Sequence, residues 1–319
     1  MTTSGTYVFR VNRDQIIRMA MLFINKLEES EVPTAQEVSD CSAILNMMVK
    51  QWMGQGDFSS GLKTWTRRVG YLFLSGLTGK YNVGQTATGW TQSFVKTTTT
   101  TGSAQGGNTL ALVSVSGITL GDNVGVNLGT YIYWSTVTLI AGLNVTIAGT
   151  FPAAVGSGAV VYDYTTPATQ PLFIEAAYLR DSSNNDTTLK FLTLEQYAIL
   201  PSKNNPTNVT DPSAIYYEWQ LTNSNLFTDV AGASDLTKYV VINYMEEIQD
   251  FNNPNDTPEY PQEYYLALVH GLAKLIAPMF NAPWTPVLEE NYKTAVGIAQ
   301  NKAPTETATV FFQPYDYLQ

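Results

Sequence analysis

From Gln85 to Thr169 the chain holds only three charged side chains, Lys96, Asp122 and Asp163. A globular domain draws about a quarter of its residues from Asp, Glu, Lys and Arg. A stretch so poor in charge, and rich in Thr, Gly and Val, reads as a small all-β module. Short β-prone runs recur in it between glycine-containing turns, at 109–115, 123–128, 131–140, 144–148 and 159–164. That rhythm suits an antiparallel sandwich or barrel. The five-threonine tract 97–101 reads as an exposed strand or a flexible linker into the module.

Helical signals stand on either side. Asn12 followed by Gln15 is a capping box, and Ile16, Ala20, Phe23, Ile24 and Leu27 then share one face. A second helix opens with Thr34 and Glu37, carries Val38, Cys41, Leu45, Met48, Val49 and Trp52 on one stripe, and ends at Gly54 and Gly56. The acidic loop between these helices predicts an antiparallel pair, and 69–74 reads as a strand feeding the module. After it, 172–179, 189–192 and 239–245 read as strands. A third helix begins near Pro261, with Tyr265, Leu268, Val269, Leu272, Ile276 and Met279 on its face and Pro278 at its end. A fourth runs from Pro286 to about Asn301. The expectation is an α+β protein: a host domain, 1–84 and 170–303, an inserted antiparallel β-sandwich or barrel domain, 85–169, and a tail, 304–319.

Charge narrows the function classes. The net charge is −10, and it is uneven, with nine basic and seven acidic residues in 1–84 against seven basic and eighteen acidic in 170–319. An acidic body without a basic stripe argues against gripping nucleic acid through its phosphates, and suits a surface that DNA passes without sticking. Cys41 is the single cysteine, so no disulfide closes within the chain. Residues 1–9 show neither the basic start nor the apolar run of a leader, and no stretch of about 18 apolar residues exists. A soluble protein made inside the cell, with no membrane partner, is expected.

Motifs for catalysis are weak. His270 is the only histidine, and a helical wheel sets it opposite the apolar face, beside Ala267, Gly271 and Lys274, where solvent or another subunit would meet it. Residues 250–256 offer oxygens loosely as a calcium loop does, but Pro254 and Asn255 break the pattern and Pro261 stands where the closing Glu belongs, so this is a turn. Glu259 and Glu263 suit the start of a helix, where carboxylates favour the macrodipole. Gly54-Gln55-Gly56 lacks a third glycine, and Gly79-Lys80 lacks the rest of a phosphate loop. The Asn-x-Thr sequons at Asn144, Asn185, Asn208 and Asn255 follow from a chain rich in Asn and Thr. No catalytic, metal or cofactor site is expected, and the protein is read as no enzyme.

The closing segment is the sharper signal. Val310, Phe311, Phe312, Gln313, Pro314 and Tyr315, with Tyr317 beyond, place large apolar groups near the end of the sequence, where they are costly unless docked. They fold back on the chain's own surface or insert into a partner's groove.

Ordered along the chain, several stretches resemble the head-to-tail adaptor proteins of tailed bacteriophages, also called head-completion or tail tubular proteins. They are Arg13-Asp14-Gln15-Ile16-Ile17, Leu45-Asn46-Met47-Met48-Val49-Lys50-Gln51-Trp52 and Leu62-Lys63-Thr64-Trp65-Thr66-Arg67. Further on come Gln196-Tyr197-Ala198-Ile199-Leu200-Pro201-Ser202-Lys203, Ile215-Tyr216-Tyr217, Asp256-Thr257-Pro258-Glu259-Tyr260-Pro261-Gln262-Glu263-Tyr264 and Val310-Phe311-Phe312-Gln313-Pro314. The β insert, with Tyr133-Trp134-Ser135-Thr136-Val137, is similar to one that many relatives carry. Two loops depart from the pattern, at Leu226-Phe227-Thr228-Asp229-Val230 and Asn204-Asn205-Pro206. The resemblance implies a helical-bundle adaptor domain and a homo-oligomeric ring, dodecameric in the family, within the virion neck and assembled in the host cytoplasm. It further implies that the tail docks on the portal protein, that the other end meets the tail tube, nozzle or a tail-fibre protein, and that packaged DNA passes through the lumen during ejection. The rival expectation is a glycan- or receptor-binding tail protein, using Tyr131, Tyr133 and Trp134 of the insert.

Overall fold

The computed structural model describes residues 5, 8–54, 66–201, 203 and 205–301. The fold is mixed α+β. Among the described residues there are five α-helices: α1 (Arg13–Phe23), α2 (Ala35–Gly54), α3 (Leu194–Ala198), α4 (Tyr265–Ile276) and α5 (Pro286–Asn301). By backbone packing the chain divides into two compact units. Residues 66–247 form one, and the residues flanking them form the other. The division therefore falls at 65/66 and 247/248, whereas the expected host and insert meet at 84/85 and 169/170. The reason lies in strand pairing: segments on both sides of 85–169 contribute strands to sheets that also pack on it.

In the flanking unit, α1, α2, α4 and α5 surround one apolar core that includes Ile16, Ile17, Met21, Leu45, Leu268 and Leu272. The caps form as their sequences dictate. Asn12 Oδ1 accepts from the Gln15 N–H at 2.9 Å, and Gln15 Oε1 accepts from the Asn12 N–H at 3.0 Å. The Thr34 N–H donates to Glu37 Oε2 at 2.9 Å, and Thr34 Oγ1 accepts from the Glu37 N–H at 3.3 Å. A 3₁₀ turn, Gln262–Tyr264, leads into α4. At its centre Gly271 lets α2 approach, since a Cβ there would lie 2.8 Å from both Met48 Sδ and a ring carbon of Trp52.

The β-rich unit holds three sheets. The five-stranded sheet runs in the order β11 (Asp186–Thr188), β10 (Pro171–Arg180), β15 (Tyr239–Glu246), β1 (Arg67–Phe73), β3 (Trp90–Thr91), all antiparallel. The four-stranded sheet is β12 (Lys190–Phe191), β13 (Ala214–Glu218), β14 (Ser224–Thr228), β2 (Lys80–Val83), with only its first pair parallel. The six-stranded antiparallel sheet is β4 (Val95–Thr98), β9 (Val160–Tyr164), β6 (Asn123–Asn127), β7 (Ile132–Ala141), β8 (Asn144–Ile147), β5 (Thr109–Ala111). All six of its strands come from the charge-poor stretch.

That last sheet rolls up until its edges meet. Just past β4 and β5, the Thr100 N–H donates to the Ala111 carbonyl at 2.8 Å and the Val113 N–H to the Thr98 carbonyl at 2.9 Å. Joining the edges satisfies backbone groups that an open edge would leave bare. The threonine tract is part of this seam rather than a linker. Thr97 and Thr99 are buried, and Thr99 Oγ1 donates to the Gly156 carbonyl at 2.8 Å while accepting from the Ala159 N–H at 3.0 Å. Inside lies a core of Val, Leu and Ile with Phe151. A second core, rich in aromatics such as Phe73, Trp90, Tyr162 and Tyr244, joins the outer side of β9 to the other two sheets.

Candidate functional site

Alternation along β13 and β14 decides what the four-stranded sheet presents. Tyr216 stands opposite Phe227, and Phe227 opposite Lys80, so these three share a face, while Ile215 and Leu226 are buried. α3 lies over that face. Its start carries a capping box between Thr193 and Gln196, with hydrogen bonds of 3.0 and 3.2 Å. The Tyr197 ring stacks on Tyr216 at 5.4 Å between centroids and 21° between planes, and lies 5.2 Å from Phe227. Tyr216 in turn stacks on Phe227 at 5.7 Å. Partial burial of its ring raises the Tyr197 pKa.

The three rings, each within 5.7 Å of the other two, form a triangular cluster, and a lysine sits against two of them. Lys203 Nζ sits 4.6 Å from the Tyr197 ring centre, and Lys80 Nζ 5.5 Å from that of Phe227, both within cation–π range. Lys203 also donates to the carbonyls of Tyr197 and Ala198, each at 2.6 Å, where α3 ends and its last carbonyls need donors. The cluster is therefore held at Tyr197 and Phe227, yet no residue of α3 is buried. Around it Leu194 is 61% exposed, Ile199 81% and Phe191 46%. Apolar side chains thus stand outward around the cluster. Sequence reasoning singled out 196–203 and 215–217 but missed that strand pairing brings them together with Lys80 and Phe227.

The other sequence-derived candidates fare differently. His270 does not face solvent or a subunit. It is 5% exposed, stacked on Phe23 at 4.6 Å and 23°, and its Nδ1 has no hydrogen-bond partner. The wheel failed because α4 is covered nearly all round, by α1, α2 and α5, leaving Leu266, Lys274 and Leu275 on its more open side. Burial lowers the His270 pKa.

The 250–256 segment is a turn. The Asp256 carboxylate accepts from the Asn252 and Asn253 N–H groups at 2.8 and 2.6 Å, which lowers its pKa, and Asp250 pairs with Lys50 at 3.2 Å. Arg13 fastens α1 to the same turn through its N–H, 2.9 Å from the Asp256 carbonyl, and Nη1, 3.1 Å from the Asn252 carbonyl. Glu259 Oε2 accepts from the Gln249 N–H at 3.2 Å. Cys41 is buried, and its thiol pKa is pushed up to about 11 by that burial. Val310, Phe311, Phe312, Gln313, Pro314 and Tyr315 lie outside the described residues.

The insert's aromatics are half-buried. Tyr133 packs edge-on against Phe151 on the inner core, and Trp134 turns the other way, 5.4 Å from Phe73 and 5.3 Å from Tyr164. Consecutive residues of a strand point to opposite faces. Tyr133 and Trp134 thus serve two different cores.

A buried carboxylate that sequence reasoning did not single out anchors the ends of the insert. Glu246, at the end of β15, accepts from Thr169 Oγ1 at 2.6 Å and Gln92 Nε2 at 3.2 Å, and pairs with Arg68 at 2.8 Å. Trp90 Nε1 donates to the Thr169 carbonyl at 3.0 Å, so the two linkers are also joined to each other. Compared with known proteins, the chain matches no family model and no curated sequence.

Proposed function

We propose that the chain is a non-enzymatic virion protein of a tailed bacteriophage, a head-to-tail adaptor that assembles as a ring between portal and tail tube or nozzle. In this reading α1, α2, α4 and α5 are the adaptor's helical bundle, and the charge-poor insert is an accessory module for another tail protein. The closing segment from Val310 to Tyr315 docks on the portal, and packaged DNA passes the acidic lumen without adhering. The dodecameric count follows from the resemblance alone.

The observation that carries the reading is the exposed apolar pair Leu194 and Ile199, of which Ile199 lies in one of the segments that resemble the adaptors. Exposed aliphatic side chains beside a fixed, lysine-flanked aromatic cluster suit a neighbouring copy in a ring. Ring assembly also explains why a chain with net charge −10 would keep its apolar contacts at subunit boundaries and its charge elsewhere.

The test is negative-stain microscopy of the purified protein, alone and mixed with portal protein from the same source. Rings, or added density beneath portal particles, are expected. Deleting residues 310–319 should leave a folded protein that no longer joins the portal. Monomers that ignore the portal, or a truncation that assembles unimpaired, would refute the corresponding part of the proposal.

A further inference from the structure

Two of the three charges in the charge-poor stretch point into the rolled sheet. Asp122, the residue before β6, is buried two places ahead of Val124 on the side that Val124 and Val126 line, and Asp163 shares the inward face of β9 with Val161. In register, Asp163 stands opposite Val124 on β6 and Val95 on β4, and Asp122 is two residues before Val124. Each aspartate is 1% exposed.

As two carboxylates they would be poorly served. Asp122 Oδ1 and Asp163 Oδ1 both lack a hydrogen-bond donor, and Asp122 Oδ2 takes only the Thr119 N–H, at 2.6 Å. One proton between the two carboxyls satisfies both empty oxygens. Two negative charges in an apolar interior are expensive, and a shared proton is the usual outcome. Burial, and then the neighbouring Asp122, push the Asp163 pKa up to about 8. The single base of 85–169 is Lys96. Lys96, on β4, turns to the opposite face, with Nζ 6.0 Å from the Tyr162 ring centre. Val95, Val124 and Ile118 complete the local surroundings within the same core.

Residues 114–120 are held by packing and, through the Thr119 N–H, by Asp122, while the Gly121 N–H donates to the Val137 carbonyl at 2.9 Å and fixes the end of the segment. Among the described residues, every hydrogen bond recorded for 114–120 closes within 114–122, and the Thr119 N–H to Asp122 is the one made to an inward side chain. Ile118 and Val115 provide the apolar hold on the interior.

We propose that Asp122 and Asp163 form a proton-operated latch on the rolled sheet: with a proton shared between them segment 114–120 stays closed over the interior, and with both ionised it opens and lets water reach them. Closing takes up one proton that the opened state releases. The opening constant therefore rises about tenfold per pH unit between the ordinary aspartate range, near 4, and the raised value of Asp163. Beyond that value it levels off.

Amide hydrogen exchange of the full chain, corrected for the intrinsic pH dependence of exchange, tests this. Between pH 5.5 and 7.5 the protection of amides in 114–124 and 160–164 should fall about a hundredfold, relative to α1 and α4 of the same molecules. Asp163→Asn keeps a donor toward Asp122 and adds no charge, so it should hold the same protection at both pH values. An equal fall in that variant, or no fall in the natural chain, overturns the proposal. Should the variant fail to fold, the carboxyl carbon of Asp163 in the natural chain decides by NMR. A midpoint near 8 that coincides with the loss of protection upholds the latch, and a midpoint near 4 overturns it.

Discussion

Thr169 Oγ1 donates a 2.6 Å hydrogen bond to Glu246 Oε2, and this contact fastens the far end of the charge-poor insert to the central strand of the five-stranded sheet. Glu246 is buried and its partners are Thr169, Gln92, Arg68 and the Thr66 hydroxyl, which donates to its backbone carbonyl at 2.6 Å. Glu246→Ala removes an ion pair from Arg68 and a buried acceptor from Thr169 and Gln92, which keep only the Tyr244 hydroxyl as a shared side-chain partner. Because Arg68 is partly exposed, the expected loss is about 2–3 kcal/mol rather than the full cost of a fully buried pair. Glu246→Gln keeps the shape and one acceptor and should cost about 1 kcal/mol. Urea unfolding followed by tryptophan fluorescence reads both.

A second expectation concerns acid. The fold lowers the pKa of His270, because burial penalises the imidazolium. The unfolded chain then binds the proton more readily than the folded one. Stability from this group is whole above the ordinary imidazole value, about 6.5, and is lost as pH falls from there toward the lowered folded value. Unfolding of the helical unit at pH 7.5 and at pH 5.5 should show the fall. His270→Phe, which keeps a ring against Phe23, should largely remove it.

Close packing at Gly271 gives a third. Gly271→Ala would gain up to about 1 kcal/mol of helix propensity. The added methyl would meet Met48 Sδ and the Trp52 ring at 2.8 Å, an overpacking that costs about 1–3 kcal/mol. A net destabilisation of about 1–2 kcal/mol is expected from thermal or urea unfolding. Gly271→Ala combined with Met48→Ala should recover part of the loss, since the sulfur is one of the two obstacles.

The rim on α3 gives a fourth, and it separates folding from assembly. Leu194→Lys and Ile199→Lys change exposed side chains and should alter stability by no more than about 0.5 kcal/mol. The same changes should abolish self-association, read by light scattering after size-exclusion chromatography. Retained assembly in the double variant would remove this surface from the ring contact.

What could be read from the sequence was what is local. The boxes at Asn12/Gln15 and Thr34/Glu37 formed, because a cap is settled within four residues. The mixed α+β class and most strands of the insert followed from turn spacing and period. What escaped was decided by partners far along the chain. A wheel drawn for α4 alone assumes one apolar face, whereas Phe23 and the residues of α2 cover a second. The threonine tract looked like a linker because only the partner edge at 111–113 makes it a seam. For Asp122 and Asp163 a signal did exist: each alternates with valines on its strand, so a period of two already put them on the apolar face. The cluster of Tyr197, Tyr216 and Phe227 had no such signal, since nothing in sequence joins 80, 197 and 227.

The order of strands in the five-stranded sheet bears on how the protein leaves the ribosome. Its middle strand, β15, is the last of the five to be synthesised, and both its neighbours, β1 and β10, must wait for it. The rolled sheet, by contrast, has all six strands once Tyr164 has emerged. A nascent chain can thus complete the insert early while β1 still lacks β15 and α1 and α2 still lack α4. Until β15 and α4 have been made, two apolar strand edges and two helix faces stand uncovered, the condition in which chaperones are most needed.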